Sequence, residues 1–311
     1  MTNQPPDWFH FWQRPYPSAN TLLIEDEKPV LIDSGYGRDV PTLLRWLQRG
    51  PVAPEQFWLL INTHYHSDHV GGNGYLQSHF QIQIAAHRWE GQLINNHDPE
   101  AWSTRFLRQH VDPYHVDRLL EDGDELVTGK HMLRVMHTPG HTLGHISFYL
   151  PEDKLLICGD AVHNDDVAWI NPFREGTGAL QRAMQSLERL SQLDIRLAVS
   201  GHGAVITQPQ EAFERALKRY EQWLHDPEKV GWHACKRIFA YALMLQNGMP
   251  RDKVSDYLLS SPWYSDYCRF VFHTELEPFI PVLLKEMLRS RAAKWQDELL
   301  VATTPYSISP D

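Results

Sequence analysis

The sequence predicts a layered α/β domain over residues 1–207 and an all-helical C-terminal subdomain over residues 208–311. Three observations carry this prediction. Short β-type runs that end in small-residue turns dominate the first two thirds of the chain, stretches of helical period separate them, and after Gln210 the β-runs fade into amphipathic patterns. In chain order the runs are TLLIE, PVLIDSG, QFWLLINTH, QIQIAAH, HMLRVMHTPGH, HISFYLP, KLLICGD and IRLAVSGHG. Residues 39–49 and 178–193 carry apolar side chains at helical spacing, and residues 88–120 read as a mainly helical excursion. Beyond the turn TQPQ come EAFERALKRYEQWLH, WHACKRIFAYALMLQNG, PRDKVSDYLLS and PFIPVLLKEMLRSRAAKWQDELL, whose prolines and Asn247-Gly248 suit helix starts and stops. The closing TTPYSISPD reads as a loose tail.

A chain of 311 residues with 42% hydrophobic and 22% charged residues buries a large core without staples. The N-terminus lacks a basic stretch followed by an apolar one, and no apolar run reaches the length of a membrane span, so a cytoplasmic protein with no membrane partner is expected. Cys158, Cys235 and Cys268 are widely spaced, which indicates neither a disulfide framework nor a cysteine-based zinc site. Any metal must therefore rest on histidine and carboxylate. The formal net charge of −10 falls almost entirely on residues 1–210, and this balance weighs against a nucleic-acid partner, because such affinity comes from Lys and Arg displacing counterions.

The densest chemistry lies in INTHYHSDHVGGNG, residues 61–74. A β-run ends at His64, so His64 and His66, two apart, can face the same side, and Asp68 and His69 fall where the chain turns into its next element. Imidazole and carboxylate together suit zinc, manganese or ferrous iron. Three further runs repeat the grammar of strand, small-residue turn and ligand-type side chain: RVMHTPGHT at His141, LLICGD at Asp160 and LAVSGHG at His202. Strand ends in a layered sheet can converge at one edge, which makes seven ligands available, enough for two metals with an open position.

At this point the sequence resembles the metallo-β-lactamase superfamily, specifically its glyoxalase II-like and lactonase-like hydrolases. The matching stretches are THYHSDHVGG, TPGHTLGH, ICGD and SGHG, in the expected order, and the resemblance spans about residues 18–207. It implies an αββα sandwich holding two divalent ions, zinc first with iron or manganese as alternatives. His64, His66 and His141 would bind one ion, Asp68, His69 and His202 the other, and Asp160 would bridge them beside a shared hydroxide. Asp33, in VLIDSG, matches an aspartate that accepts a hydrogen bond from a ligating histidine, so Asp33→Ala is expected to weaken metal binding and leave the fold intact.

The activity so implied is hydrolysis of an ester-type bond in a small molecule, either a thioester or a lactone. Alternative readings are a phosphodiesterase or ribonuclease, a mononuclear iron persulfide dioxygenase, and a regulator that keeps the fold without turnover. His145 and His163 read as satisfied histidines near the site, with a substrate-facing role open to His163. Trp89, Trp102, Phe106 and Tyr114 read as core that could also line an acyl pocket. The C-terminal segment resembles, more weakly, a winged-helix-like tail, expected to pack on the catalytic domain, shape the substrate mouth or make a homodimer contact.

Overall fold

Each of the eight β-type runs read from the sequence forms a strand in the computed structural model, which describes residues 4–103 and 109–307. Six strands form a first mixed sheet in chain order: β1 (Phe9–Trp12), β2 (Thr21–Ile24), β3 (Val30–Ile32), β4 (Leu59–Ile61), β5 (Gln83–His87) and β6 (Arg118–Leu120). From β3 to β6 the strands run parallel, so their carboxyl ends share one edge. The second sheet, in the order β11-β10-β9-β8-β7, contains β7 (Glu125–Val127), β8 (Met132–His137), β9 (Ile146–Leu150), β10 (Leu155–Gly159) and β11 (Leu197–Ser200). Because β9 is antiparallel to both β8 and β10, and β10 is parallel to β11, the strands β8, β10 and β11 also end together.

The two sheets stack face to face. Ile24, Ile32 and Ile61 meet Phe148, Ile157 and Val199 in a cluster between them. Side chains one position away point outward beneath helices. Leu31 and Leu60 pack under Leu43 and Leu47 of α1 (Val40–Arg49), and under Leu76 of α3 (Asn73–Phe80), which follows the one-turn α2 (Ser67–Val70). On the far side, Leu156 and Ala198 pack under Leu187 and Leu190 of a later helix, Ala179–Ser191. Strands covered on both faces need apolar residues at consecutive positions, which is why VLI, LLI and LLIC carry no polar alternation. Each such side chain contributes about 1.5–3 kcal/mol by leaving water. The outcome is the αββα sandwich expected from the resemblance.

Among the described residues of the excursion at 88–120, α4 (Arg88–Asn95) and a short 3-10 turn at Ala101–Ser103 form, and residues 109–117 lead into β6 without helix. Trp89, Trp102 and Tyr114 pack into or against the cluster beneath the first sheet, and Phe106 lies outside the described residues.

Counting α5 (Pro172–Glu175) and α6 (Ala179–Ser191), the C-terminal helices are α7 (Pro209–His225), α8 (Pro227–Leu245), α9 (Arg251–Leu259), α10 (Pro262–Phe270) and α11 (Leu276–Arg289). Proline in the first turn opens α7, α8 and α10, where its missing N–H costs nothing. The region is helical but not all-helical. A small antiparallel sheet, β12 (Met249–Pro250), β14 (Leu299–Ala302) and β13 (Ala293–Gln296), closes the chain around Phe239, Trp263, Tyr267 and Leu300. The stretch read as one helix to residue 300 therefore breaks after Arg289. Nor is all of the tail loose, since Ser307 N–H donates to Tyr16 O at 2.8 Å and Tyr306 bridges to Tyr16. Among the described residues, no helix is long and apolar enough to cross a membrane.

Candidate metal centre

The seven predicted side chains arrive at one edge of the sandwich, each from just beyond a strand's carboxyl end. His64 and His66 leave β4 in extended chain, and α2 then turns Asp68 and His69 back toward them. His141 follows β8, Asp160 follows β10 and His202 follows β11. Three ring nitrogens meet first: His64 Nε2 lies 3.1 Å from His66 Nδ1, His66 Nδ1 lies 2.9 Å from His141 Nε2, and His141 Nε2 lies 3.2 Å from His64 Nε2. A ring nitrogen carries at most one proton, so protons cannot satisfy all three contacts at once. Three nitrogens each about 2.0–2.1 Å from a shared cation would lie comparably close together. Burial first, and then the neighbouring histidines, push His64 and His66 well below the ordinary imidazole range, leaving lone pairs free for a metal.

The other half is mixed. His202 Nε2 lies 3.1 Å from Asp68 Oδ2, and His69 Nε2 lies 3.9 Å from the same oxygen. Asp160 stands between the halves, with Oδ1 3.5 Å from His69 Nε2 and Oδ2 3.7 Å from His141 Nε2 and 3.8 Å from His202 Nε2. His69 Nε2 and Asp160 Oδ1 are buried without a hydrogen-bond partner among the described residues. Buried polar atoms of native proteins are rarely orphaned, and a bound cation would satisfy both. Three groups have their donor atoms within 4.8 Å of one another: His64, His66 and His141; His64, His69 and Asp160; Asp68, His69 and His202. This donor set fits a dinuclear metal site.

Its electrostatics agree. Burial disfavours the charged form of His69, yet Asp33, Asp160 and Asp68 outweigh it and raise the ring well above its ordinary value. Burial likewise opposes ionisation of Asp160, but His202, His69 and His163 hold the carboxyl well below its usual range. Negative charge is concentrated where divalent cations would sit.

Supporting contacts fix the rings. Asp33, at φ 56° directly after β3, accepts from Thr63 N–H at 2.8 Å through Oδ1 and from the Thr63 hydroxyl at 2.7 Å through Oδ2. Its Oδ2 also faces His69 Nδ1 at 2.7 Å, which turns Nε2 of that ring toward the centre. His141 Nδ1 donates to Trp169 O at 2.7 Å, and His202 stacks on Tyr16 with centroids 4.6 Å apart. Gly201 is required by space, because a Cβ there would lie 2.2 Å from Asp160 Oδ1 and 2.5 Å from His69 Cε1. His145 is satisfied by Thr138 Oγ1 at 2.8 Å and the Asp160 N–H at 3.0 Å. His163 lines the pocket, its Nε2 4.0 Å from Asp160 Oδ2.

Above the centre lies a pocket with about 850 Å³ of open space, its mouth included. Val167, Ala168, Trp169, Ile238, Ala240 and Met244 make its walls mainly apolar. Half of this wall comes from α8, and Tyr16, Arg237 and Tyr241 add polar groups that sequence reading did not single out. The Tyr241 hydroxyl is buried beside Ser67 and Asp68, and neither it nor the Ser67 hydroxyl makes a well-formed hydrogen bond among the described residues.

Residues 14–202 match the profile of a family described as the Metallo-beta-lactamase superfamily. The chain is 28% identical over 265 residues to the acyl-coenzyme A thioesterase MBLAC2 of Gallus gallus, a match covering 76% of this chain and 92% of that protein. It is 32% identical over 155 residues to a hydroxyacylglutathione hydrolase of Maricaulis maris, a match covering half of each chain. Among solved structures, a metallo-beta-lactamase family protein from Thermus thermophilus superposes with a TM-score of 0.65 at 19% identity, covering 96% of this chain and 99% of that one. At that identity the likeness speaks to fold alone.

Proposed function

The chain belongs to the metallo-β-lactamase superfamily and is a metallo-hydrolase, and from that premise we propose that it hydrolyses thioesters of small molecules. His64, His66 and His141 would hold one divalent ion, and Asp68, His69 and His202 a second. Asp160, with one oxygen toward His69 and the other toward His141 and His202, would join them. Zinc is the ion this histidine-rich set suits first. When bound, the ions would acidify a water and polarise the substrate carbonyl.

The chain's own residues do the rest. Asp33 and Trp169 O orient His69 and His141 so that their Nε2 atoms point inward. The apolar wall from α8 and residues 167–169 excludes water and receives the acyl group. Tyr241 lines the pocket beside Ser67 and Asp68, and its hydroxyl would donate where charge develops on the carbonyl oxygen.

The observation that carries the reading is a two-part His/Asp centre at the floor of an apolar pocket. Support for thioesters over lactones comes from the two relatives above, an acyl-coenzyme A thioesterase and a hydroxyacylglutathione hydrolase. The test is a rate comparison on one zinc-loaded preparation against acyl thioesters, lactones, p-nitrophenyl phosphodiesters and RNA. Thioester cleavage at the highest kcat/KM is expected, and cleavage of phosphodiesters alone would overturn the proposal.

A further inference from the structure

A second groove adjoins the metal pocket and shares Arg237, Ala240 and Thr304 with it. It encloses about 1630 Å³, open to solvent, between the 165–166 loop, α7, α8 and the end of α11. Its charge runs against that of the whole chain. In a protein of formal net charge −10, Arg219, Lys229, Lys236, Arg237 and Arg289 line this one surface, with Asp165, Asp166 and Glu286 as the only acids among its lining residues.

The carboxylates are also shared. Asp166 pairs with both Arg219 and Arg237. Glu286 takes Lys236 at 3.4 Å and Arg289 at 2.8 Å. Glu286 is only 16% exposed while Arg289 is 72% exposed, so the acid sits beneath and a cation faces the groove. Each of these carboxylates cancels one of the two cations it touches, and Asp226 takes Lys229 at 3.4 Å, so a small positive excess remains at the groove. His233 lines the same wall, its Nε2 3.5 Å from Asp166 Oδ1. Trp223, buried, and Trp232, half-buried against Phe272 and Phe279, back the groove from the core side. Clustered cations are what the phosphates of a nucleotide need.

We infer that this groove binds the phosphorylated carrier arm of the substrate, so that the preferred thioester is an acyl group borne by coenzyme A, with the nucleotide over Arg219, Lys236 and Arg289 and Arg237 at the seam with the metal pocket. This rests on the thioester reading above. Glutathione, a tripeptide without phosphate, leaves most of these cations unused.

The experiment compares one acyl group carried by coenzyme A, by glutathione, by N-acetylcysteamine and by phosphopantetheinylated acyl carrier protein, with adenosine 3′,5′-bisphosphate as a direct binding probe on the same metal-loaded protein. The coenzyme A thioester is expected to exceed the N-acetylcysteamine thioester at least about tenfold in kcat/KM, with the gap narrowing as salt screens the cations. In the double variant Lys236→Ala/Arg289→Ala that ratio falls about tenfold through KM, and the bisphosphate, competitive for the wild type, binds about tenfold more weakly. Equal rates on the coenzyme A, glutathione and N-acetylcysteamine thioesters, or a ratio untouched by the variant, would overturn the inference while leaving thioester hydrolysis standing. A tenfold preference for the carrier protein would also overturn it. Inertness toward all four, with bisphosphate still bound, would sink the thioester reading instead.

Discussion

Asp33→Asn changes one atom and tests how the metal centre is held. The aspartate accepts three hydrogen bonds, from Thr63 N–H at 2.8 Å, from the Thr63 hydroxyl at 2.7 Å and from His69 Nδ1 at 2.7 Å. Asparagine tolerates the φ of 56° found there, so the backbone survives. Its amide has one acceptor oxygen and one NH2. The Thr63 backbone N–H cannot lose its proton, so the oxygen must stay on that side and the NH2 must face His69 Nδ1. To avoid two opposed donors, His69 would shift its proton to Nε2, the atom that lies 3.5 Å from Asp160 Oδ1 and is otherwise free to ligate. Losing an orienting partner of this kind costs about 10- to 100-fold in metal affinity, or about 1.4–2.7 kcal/mol. Competitive zinc titration against a chromophoric chelator should show the more weakly held ion loosened by that factor, with kcat/KM at subsaturating metal falling in parallel. The circular dichroism spectrum should be unchanged. Zinc affinity and kcat/KM both within threefold of wild type would refute the orienting role of Asp33.

Asp160→Ala removes both oxygens that face the two halves of the centre; elemental analysis should find at least one equivalent of metal lost and kcat reduced at least about 100-fold. Gly201→Ala places a methyl group against Asp160 and His69, so metal content should fall although no ligand is replaced, and full occupancy would contradict the packing. Tyr241→Phe should lower kcat by about 10- to 100-fold with metal content intact, whereas a twofold change would mean that its hydroxyl does not reach the substrate. Glu175 receives the Leu143 N–H at 2.7 Å, and burial pushes its carboxyl up to about 7. A raised folded-state value stabilises below the unfolded value near 4.5 and is lost as pH rises through 7, a change on the order of 3 kcal/mol. Glu175→Gln should thus gain melting temperature relative to wild type between pH 5 and pH 8, and parallel melting curves would show that Glu175 is not the titrating group.

What the sequence revealed of the site was local in origin. A ligand that follows a buried strand leaves a signature within about six residues: an apolar run, then a small-residue turn, then histidine or aspartate. His64, His141, Asp160 and His202 each follow that rule, and the structure brings all seven side chains to one edge because β4, β8, β10 and β11 end there. Tyr16, Trp169, Arg237 and Tyr241 carry no such mark. They matter only through where α8, the 167–169 segment and, for Tyr16, the loop between β1 and β2 dock, which is decided by contacts far apart in sequence. The terminal hairpin was hidden for another reason. Lys, Glu and Leu in AKWQDELLVA favour helix, but Arg291 and Asp297 adopt positive φ, ending α11 and turning the hairpin, and tertiary packing of Leu300 overrides propensity.

Under the thioester proposal, that docking would give the C-terminal region a part in specificity. Helix α8 is apolar over much of its circumference, and several of its buried residues do two jobs. Phe239 and Leu243 pack in the C-terminal core, and Ile238, Ala240 and Met244 belong to that core while also lining, with Tyr241, the pocket over the metal centre. One helix therefore fixes the fold of the tail and the shape of the pocket over the metal centre together. On its exposed side the same helix carries Lys236 and Arg237 into the basic groove. On the proposed reading, the sandwich would supply ligands from strand ends, and those positions would constrain the reaction more than the substrate. A helix that lines pocket and groove at once is where substrate choice could change without disturbing the proposed metal ligands, so specificity changes should concentrate on α8.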